Sequence, residues 1–131
     1  IQLIFPPMLS QPRRENELDY QWNMFWANLN PARGSEQAGM GPVLVISTEE
    51  VNQALPIVTV LSITSWKPGR KIYPVEVLAK ATDTGLAQDS IVMAHQIRAI
   101  SKDRLGEMCG SIKSAGLKES IREAEKLYLD L

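Results

Sequence analysis

The chain has very little sulfur or imidazole chemistry: Cys109 is the one cysteine and His95 the one histidine among 131 residues. A single cysteine excludes an internal disulfide framework and is typical of a protein from a reducing cytoplasm. No cysteine or histidine stands at metal-ligand spacing from Cys109, so we expect no zinc site and no other cofactor. We interpret His95 as a structural residue.

Long apolar runs and a strong net charge are also missing. No run approaches the roughly 18 residues that cross a membrane as a helix. The net charge of −1 does not indicate a nucleic-acid-binding protein, so any RNA contact must depend on a local basic patch. We therefore expect a cytoplasmic protein without membrane contact, long enough for one compact domain.

The first 21 residues differ from the rest of the chain. Three prolines precede a charged run at residues 13–17, and no apolar periodicity is present. We expect an extended or disordered tail at residues 1–21 and a folded domain at residues 22–131. The sequence leaves open whether the tail belongs to the native gene product, and whether its acidic residues cover a binding groove or have no role.

Short apolar runs predict a mainly β fold that ends in one helix. Strands are predicted near residues 24–29, 43–47, 57–63, 73–78, 90–94 and 96–100, the last as a strand or a bulged extension. Pro74 favours an edge position for its strand, and Thr48 resembles a cap before a short helix. The terminal helix has Ser111 or Ser114 as its cap and one apolar stripe, made of Leu117, Ile121, Ala124, Tyr128 and Leu131. This order of elements predicts a small antiparallel barrel with the helix packed against it.

Six short motifs occur in the order that one protein family has. They are WANLNP at residues 26–31, RGSEQAG at 33–39, PVLVIS at 42–47, ITS at 63–65, YPVEV at 73–77 and QIRAI at 96–100. On these motifs the chain, from about residue 22 to residue 131, resembles the MazF/PemK toxins of bacterial type II toxin–antitoxin modules. It departs from them at residues 21–24, where the family has a basic-Gly-acidic-apolar sequence.

The resemblance implies an SH3-like barrel that forms a homodimer. It also implies a metal-independent endoribonuclease that cuts single-stranded RNA at short sequences, leaving 2′,3′-cyclic phosphate and 5′-hydroxyl ends. A MazE-like antitoxin with an acidic tail is the implied protein partner, and it blocks the RNA groove.

A second departure concerns the catalytic site that the resemblance implies. The family has an arginine between the loop and the proline that opens its second strand, and Gly41 stands there in this chain. Arginine suits that place because its planar fork binds two phosphate oxygens and stays charged. Gly41 offers only a backbone N–H, so we expect strongly impaired cleavage, whether the change is engineered or natural. Thr64 follows by resemblance as the second catalytic residue, and Glu36 as a carboxylate that orients a base or shapes the groove.

Further polar residues are candidates for RNA contact. The loop offers Arg33, Ser35 and Gln37, and Ser65 follows Thr64. Gln96 is interpreted as reading a base edge and Arg98 as binding a phosphate. Each has a structural alternative, such as a bond to loop backbone or an outward polar position on a strand. Arg33 and Arg98 are also candidates to replace the missing arginine.

The clearest local cluster of positive charge consists of Lys67, Arg70 and Lys71, beside Trp66. Cations that follow phosphates next to an aromatic ring that stacks on a base are typical of single-strand binding. The alternative is a solubilising turn with Trp66 buried at a dimer contact.

Two other functions remain open at this point. The same barrel occurs in CcdB-like toxins, which bind DNA gyrase instead of cutting RNA. The chain could also be a decoy that titrates the antitoxin and frees active toxin. The loop at residues 33–39 and Thr64 favour the ribonuclease.

Overall fold

The computed structural model describes residues 18–131, which form six strands, three α-helices and one 3₁₀ turn. The elements are β1 (Asn23–Asn28), β2 (Met40–Val45), α1 (Glu49–Ala54), β3 (Ile57–Ser65), β4 (Glu76–Ala79), α2 (Ala81–Thr84), β5 (Ser90–Ser101), the 3₁₀ turn (Lys102–Arg104), β6 (Leu105–Ser111) and α3 (Ala115–Leu129). Most of the predicted tail lies outside the described residues. No helix within residues 18–131 is long and apolar enough to cross a membrane.

The strands form one antiparallel sheet in the order β4-β5-β3-β2-β1-β6. The predicted class, a mainly β domain of the small-barrel type with a C-terminal helix, is confirmed. The strand after Pro74 lies at an edge of the sheet, as expected. Strand β6 and helix α2 were not predicted, and β6 lies beside β1, the first strand of the chain.

Both faces of the sheet are buried, which explains the continuous apolar runs in the sequence. On one face, Met24 and Leu61 flank Leu44 across three neighbouring strands, and α3 adds Ile121. On the other face, Phe25 pairs with Val43. Because successive residues of a strand point to opposite faces, a strand between two cores needs apolar residues at every position.

Helix α3 begins at Ser114, whose Oγ accepts a hydrogen bond from the Leu117 N–H at 3.1 Å. This confirms Ser114 as the cap. Ile121 and Ala124 are buried as predicted, but the prediction for the end of the stripe was wrong. Leu131 is 83% exposed and Tyr128 is 45% exposed. The main contacts of α3 with the sheet are to β4 and β5.

The chain joins the fold slightly before residue 22. The N–H groups of Tyr20 and Gln21 donate to Glu49 Oε1 at 2.9 and 2.8 Å, and Tyr20 packs against the core that contains Phe25. Burial raises the pKa of the Glu49 carboxyl, but these hydrogen bonds and that of Gln53 outweigh it and lower the pKa overall. Thr48 precedes α1 without a capping bond from its side chain.

Candidate nucleic-acid interface

The start of β2 and the end of β3 border a cleft of about 370 Å³, here called the strand-end cleft. It is lined by four of the predicted site residues, Gln37, Gly41, Thr64 and Ser65. Thr64 pairs with Ile91, and Ser65 pairs with Ser90, so a rigid ladder fixes both hydroxyl-bearing residues. The fold thus brings together the two positions, 41 and 64, that the sequence singled out for catalysis.

Gly41 lies in regular strand structure, paired with Ala27. Four other glycines of the described chain have positive φ, but Gly41 does not. A Cβ built on Gly41 would meet no heavy atom within 4 Å. Neither the backbone conformation nor the packing around a Cβ atom therefore requires glycine at this position.

Two apolar side chains extend the strand-end cleft toward solvent. Trp26 on β1 is 44% exposed and Met40 is 66% exposed, and both line the cleft. Exposed aromatic rings in such a position provide surfaces on which bases stack. In the sequence Trp26 belongs to the predicted first strand and to the WANLNP motif, and nothing local marks it as a surface residue. Its pairing with Pro42, at the point where the core ends, is a tertiary feature.

The loop at residues 33–39 is closed by a reciprocal pair of bonds. The Glu36 N–H donates to the Arg33 carbonyl at 3.0 Å, and Glu36 Oε1 accepts from the Arg33 N–H at 3.0 Å. Gly34 and Gly39 have φ of 56° and 77°, in the left-handed region that glycine adopts without a steric penalty. The side chains of Arg33, Ser35 and Glu36 lie on the exposed surface of the loop.

Gln96 holds this loop through both ends of its amide. Gln96 Oε1 accepts from the Gln37 N–H at 3.1 Å, and Gln96 Nε2 donates to the Ser35 carbonyl at 3.0 Å. In this arrangement Gln96 positions the loop, and the groups that would read a base edge are engaged with backbone.

Gln96 reaches the loop because β5 bulges at this point. Leu61 pairs with Ile97, whereas the next residue of β3, Ser62, pairs with Met93. Residues 94–96 therefore have no partner on β3, and a bulge of this kind redirects side chains, often next to active sites. The sequence predicted residues 96–100 as a strand or a bulged extension. A bulge is present, and it lies at residues 94–96.

A second, smaller cavity of about 180 Å³ lies between the bulge and the loop, here called the bulge cavity. Its lining consists of Glu36, Gln37, Ser62, His95, Gln96, Ile97 and Arg98. Gln37 also lines the strand-end cleft, so the two spaces are adjacent. The Nδ1 atom of His95 is buried and has no hydrogen-bond partner among the described residues.

Arg98 and Arg104 hold the end of β1. Arg98 Nη1 donates to the Leu29 carbonyl at 2.7 Å, and Arg104 Nη1 donates to the Asn30 carbonyl at 2.7 Å. The guanidinium of Arg98, predicted as a phosphate contact, thus binds backbone at the base of the loop. Arg104 was not predicted, because nothing in its local sequence shows that it reaches Asn30.

The predicted basic cluster separates into two exposed lysines and one paired arginine. Arg70 Nη1 and Nη2 bind Glu76 Oε1 and Oε2 at 2.7 and 3.0 Å, whereas Lys67 and Lys71 are exposed. The hydrogen bonds from Arg70 hold the pKa of the buried Glu76 carboxyl below its usual value, against the effect of burial. Trp66 Nε1 donates to the Arg70 carbonyl at 3.1 Å, so the indole is part of this turn.

The lining of the strand-end cleft combines hydroxyls, amides and an aromatic ring. Arg33 and the two lysines are exposed, while the other predicted arginines are engaged with protein groups. Within residues 18–131 no group of three or more His, Cys, Asp or Glu side chains is placed to hold a metal ion. Such a surface can bind an extended polyanion and place a hydroxyl, that of Thr64, beside one of its phosphates.

Comparison with known proteins identifies relatives over almost the whole described chain. The family model of the PemK-like, MazF-like toxins of type II toxin–antitoxin systems matches residues 20–125. Endoribonuclease MazF9 of Mycobacterium tuberculosis is 39% identical over 109 residues, covering 79% of this chain and 90% of that protein. Endoribonuclease EndoA of Bacillus subtilis is 39% identical over 109 residues, covering 83% and 92%. The crystal structure of MazF from Deinococcus radiodurans superposes with a TM-score of 0.73 at 25% identity, covering 88% of this chain and 100% of that chain.

Proposed function

This chain belongs to the family of PemK-like, MazF-like toxins of type II toxin–antitoxin systems, and on that premise we propose that it is a sequence-specific, metal-independent endoribonuclease of single-stranded RNA. Cleavage proceeds by attack of a 2′-hydroxyl on the adjacent phosphate and leaves 2′,3′-cyclic phosphate and 5′-hydroxyl ends. In this copy the activity is strongly reduced, because Gly41 takes the place of an arginine.

The observation that carries the proposal is the position of Gly41 and Thr64 in one cleft. Gly41 has ordinary strand conformation and open space in front of its Cβ. An arginine at position 41 would extend into that space from one wall, while Thr64 offers its hydroxyl from the adjoining strand. A phosphate between them would meet a cation and a hydroxyl held by rigid strands.

The reaction explains why the missing cation matters. Attack of the 2′-oxygen builds a five-coordinate phosphorus with two negative charges, and the leaving 5′-oxygen needs a proton. Removing one fixed electrostatic donor from such a site typically lowers the rate by about 10²–10³. Thr64 leaves only a neutral hydroxyl as donor in this cleft, so we expect RNA binding to persist better than cleavage.

Two protein partners belong to this proposal. A second copy of the chain completes the enzyme as a homodimer, and a MazE-like antitoxin inhibits it. The antitoxin's acidic tail would compete with RNA for Arg33, Lys67 and Lys71, whose exposed charges attract either polyanion.

The test compares the chain with its Gly41→Arg variant on a long single-stranded RNA in excess EDTA, with the cut ends mapped. We expect only the arginine form to cut, at one repeated short sequence, with a rate gain of about 10²–10³. Gly41→Leu controls for bulk without charge, and Gly41→Arg with Thr64→Val controls for the hydroxyl; both should cut poorly.

If neither the chain nor the Gly41→Arg variant cuts, the ribonuclease proposal is wrong. Retention of a labelled single-stranded RNA by the unmodified chain is the second measurement. If both forms bind RNA and neither cuts it, the result favours a non-catalytic binding role.

A further inference from the structure

We propose that the groove between strand β4 and helix α3, here called the helix–edge groove, binds an extended peptide segment of a partner protein. The segment alternates apolar residues with lysine or arginine. The groove has a volume of about 790 Å³ and is lined by residues 74 and 76–78 on the strand side and by six residues of α3. It is a different surface from the strand-end cleft, and its binding does not depend on RNA cleavage.

Strand β4 has one open edge. Its only sheet neighbour within residues 18–131 is β5. The Ala94 N–H donates to the Val75 carbonyl at 2.9 Å, and Leu78 pairs with Ile91 in the same register. In an antiparallel pair, residues that bond the neighbouring strand alternate with residues whose N–H and carbonyl point away. The backbone groups of Leu78 therefore point to the open edge, where an added strand can bind them.

The groove offers apolar contacts to alternate side chains of such a strand. Val77 and Leu78 are half-buried on the strand side. On α3, Leu127 lines the groove and is 60% exposed, although it is a large apolar residue. Exposed apolar groups that line a groove are typical of surfaces that bind another protein. Because successive residues of a strand point to opposite sides, every second residue of the peptide faces α3 and should be apolar.

The rim of the groove selects the charge of the partner. Glu119 and Glu123 lie one turn apart on α3 and both line the groove, with 58% and 62% of their side chains exposed. Among the described residues that line the groove, none is basic. Arg122 and Lys126 lie 3.9 and 3.4 Å from these carboxylates, but such exposed pairs are weak, so an incoming cation can replace them. A basic peptide is therefore attracted to this rim, whereas RNA or an acidic antitoxin tail is repelled.

The same charges disfavour a second copy of this chain as the occupant. Two copies that paired through β4 would bring the same surface patch of each copy to the contact. The carboxylates of Glu119 and Glu123 would then lie close to their equivalents on the other copy, and like charges at an interface oppose binding. The expected occupant is therefore a different protein with a basic segment.

The experiment measures the binding of two labelled peptides by fluorescence polarisation. One peptide alternates valine with lysine, and the other alternates valine with glutamate. We expect the unmodified chain to bind the lysine peptide more tightly, and the double variant Glu119→Lys with Glu123→Lys to reverse this preference. Asp103→Lys with Glu107→Lys makes the same change of net charge at exposed positions outside the groove and should keep the preference. Equal binding of both peptides by the unmodified chain would overturn the proposal.

A second set of changes tests the added strand. Leu78→Pro removes an N–H at the open edge, a place where strands tolerate proline. Relative to Leu78→Ala, which keeps that N–H, it should weaken binding of the lysine peptide about 2- to 10-fold, the loss expected for one hydrogen bond. Methylation of the peptide's own amide nitrogens should also weaken binding, and this holds even if Leu78→Pro does not fold.

Thermal unfolding of each variant establishes that it is folded. Unchanged binding of the methylated peptide would overturn the added strand. Sedimentation of the unmodified chain and of the double variant Glu119→Lys with Glu123→Lys tests the other occupant. A change of oligomeric state in that variant would show that a second copy occupies the groove and would overturn the proposal. Loss of RNA cleavage or RNA binding in the Gly41→Arg experiment leaves this result unaffected, because the peptides are measured without RNA.

Discussion

Arg70 and Glu76 form a two-pronged ion pair across the turn that leads into β4, with 35% of the arginine side chain exposed and 2% of the glutamate side chain exposed. Glu76 also accepts the Tyr73 N–H at 3.0 Å. The pair therefore fixes the turn, and Arg70 is the main group that keeps the carboxylate ionised.

Removing that cation should destabilise the fold. In Arg70→Ala the buried carboxylate loses the guanidinium that binds both its oxygens and keeps only the Tyr73 N–H, so we expect the free energy of unfolding to fall measurably. Urea unfolding followed by tryptophan fluorescence measures this. Lys67→Ala, which removes an exposed cation from the same turn, serves as the matched control and should change stability by less than about 0.5 kcal/mol. Equal stability of the two variants would show that the ion pair contributes nothing.

The same pair predicts a dependence on pH. The folded-state pKa of Glu76 lies below its ordinary value of 4.5, so the unfolded state binds the proton more readily. The stabilisation by Glu76 is then fully present above about pH 4.5 and is lost as the pH falls through the lower, folded-state pKa. The difference in free energy of unfolding between the unmodified chain and Glu76→Gln should therefore shrink as the pH falls below about 4.5. Glu49, whose pKa is also lowered, is present in both proteins and cancels from the difference. A difference that stays constant down to pH 3 would contradict the assignment.

Two glycines on the strands that flank β1 should respond differently to alanine. A Cβ on Gly110 would lie 2.7 Å from the Thr84 carbonyl oxygen and 3.2 Å from Met24 Sδ, whereas one on Gly41 meets nothing within 4 Å. We expect Gly110→Ala to cost about 1–3 kcal/mol through overpacking. Gly41→Ala should stay within about 0.5 kcal/mol of the unmodified chain. A destabilised Gly41→Ala would mean that glycine has a structural role there.

The hydrogen bonds from Gln96 to the loop at residues 33–39 should be measurable by amide hydrogen exchange. Gln96→Ala removes the acceptor of the Gln37 N–H, and we expect exchange of that amide to accelerate about 2- to 10-fold, as the loss of a bond worth about 0.5–1.5 kcal/mol implies. Gln88→Ala, an exposed glutamine of the strand-end cleft, is the control. Unchanged exchange at Gln37 would show that the loop is held by its own internal bonds.

The apolar strands and the start of the terminal helix could be read from the sequence because their signals are local. Continuous runs such as residues 43–45 predict strands buried on both faces, and Ser114 caps α3 by a bond to a residue three positions away. The edge position after Pro74 follows from the missing N–H of proline. Each of these features depends on residues that are neighbours in the chain.

The features that were missed depend on distant residues. Strand β6 has the sequence LGEMCGS, whose two glycines argue against a strand, and it forms because it fits beside β1 and the Thr84 carbonyl. From the sequence alone Arg70 is interpreted as a surface cation, because nothing local shows that it pairs with Glu76. The bulge at residues 94–96 has no local sequence signature, since it results from the offset between β3 and β5.

The place of β6 next to β1 has a consequence for folding. The first strand of the sheet is completed by the strand that follows all the others in the chain, and the Ile112 N–H bonds the Trp22 carbonyl. Contacts so far apart in sequence form slowly and late. The outer edge of β1 therefore stays unpaired until β6 docks beside it, which makes the closure of this side of the sheet a late step of folding.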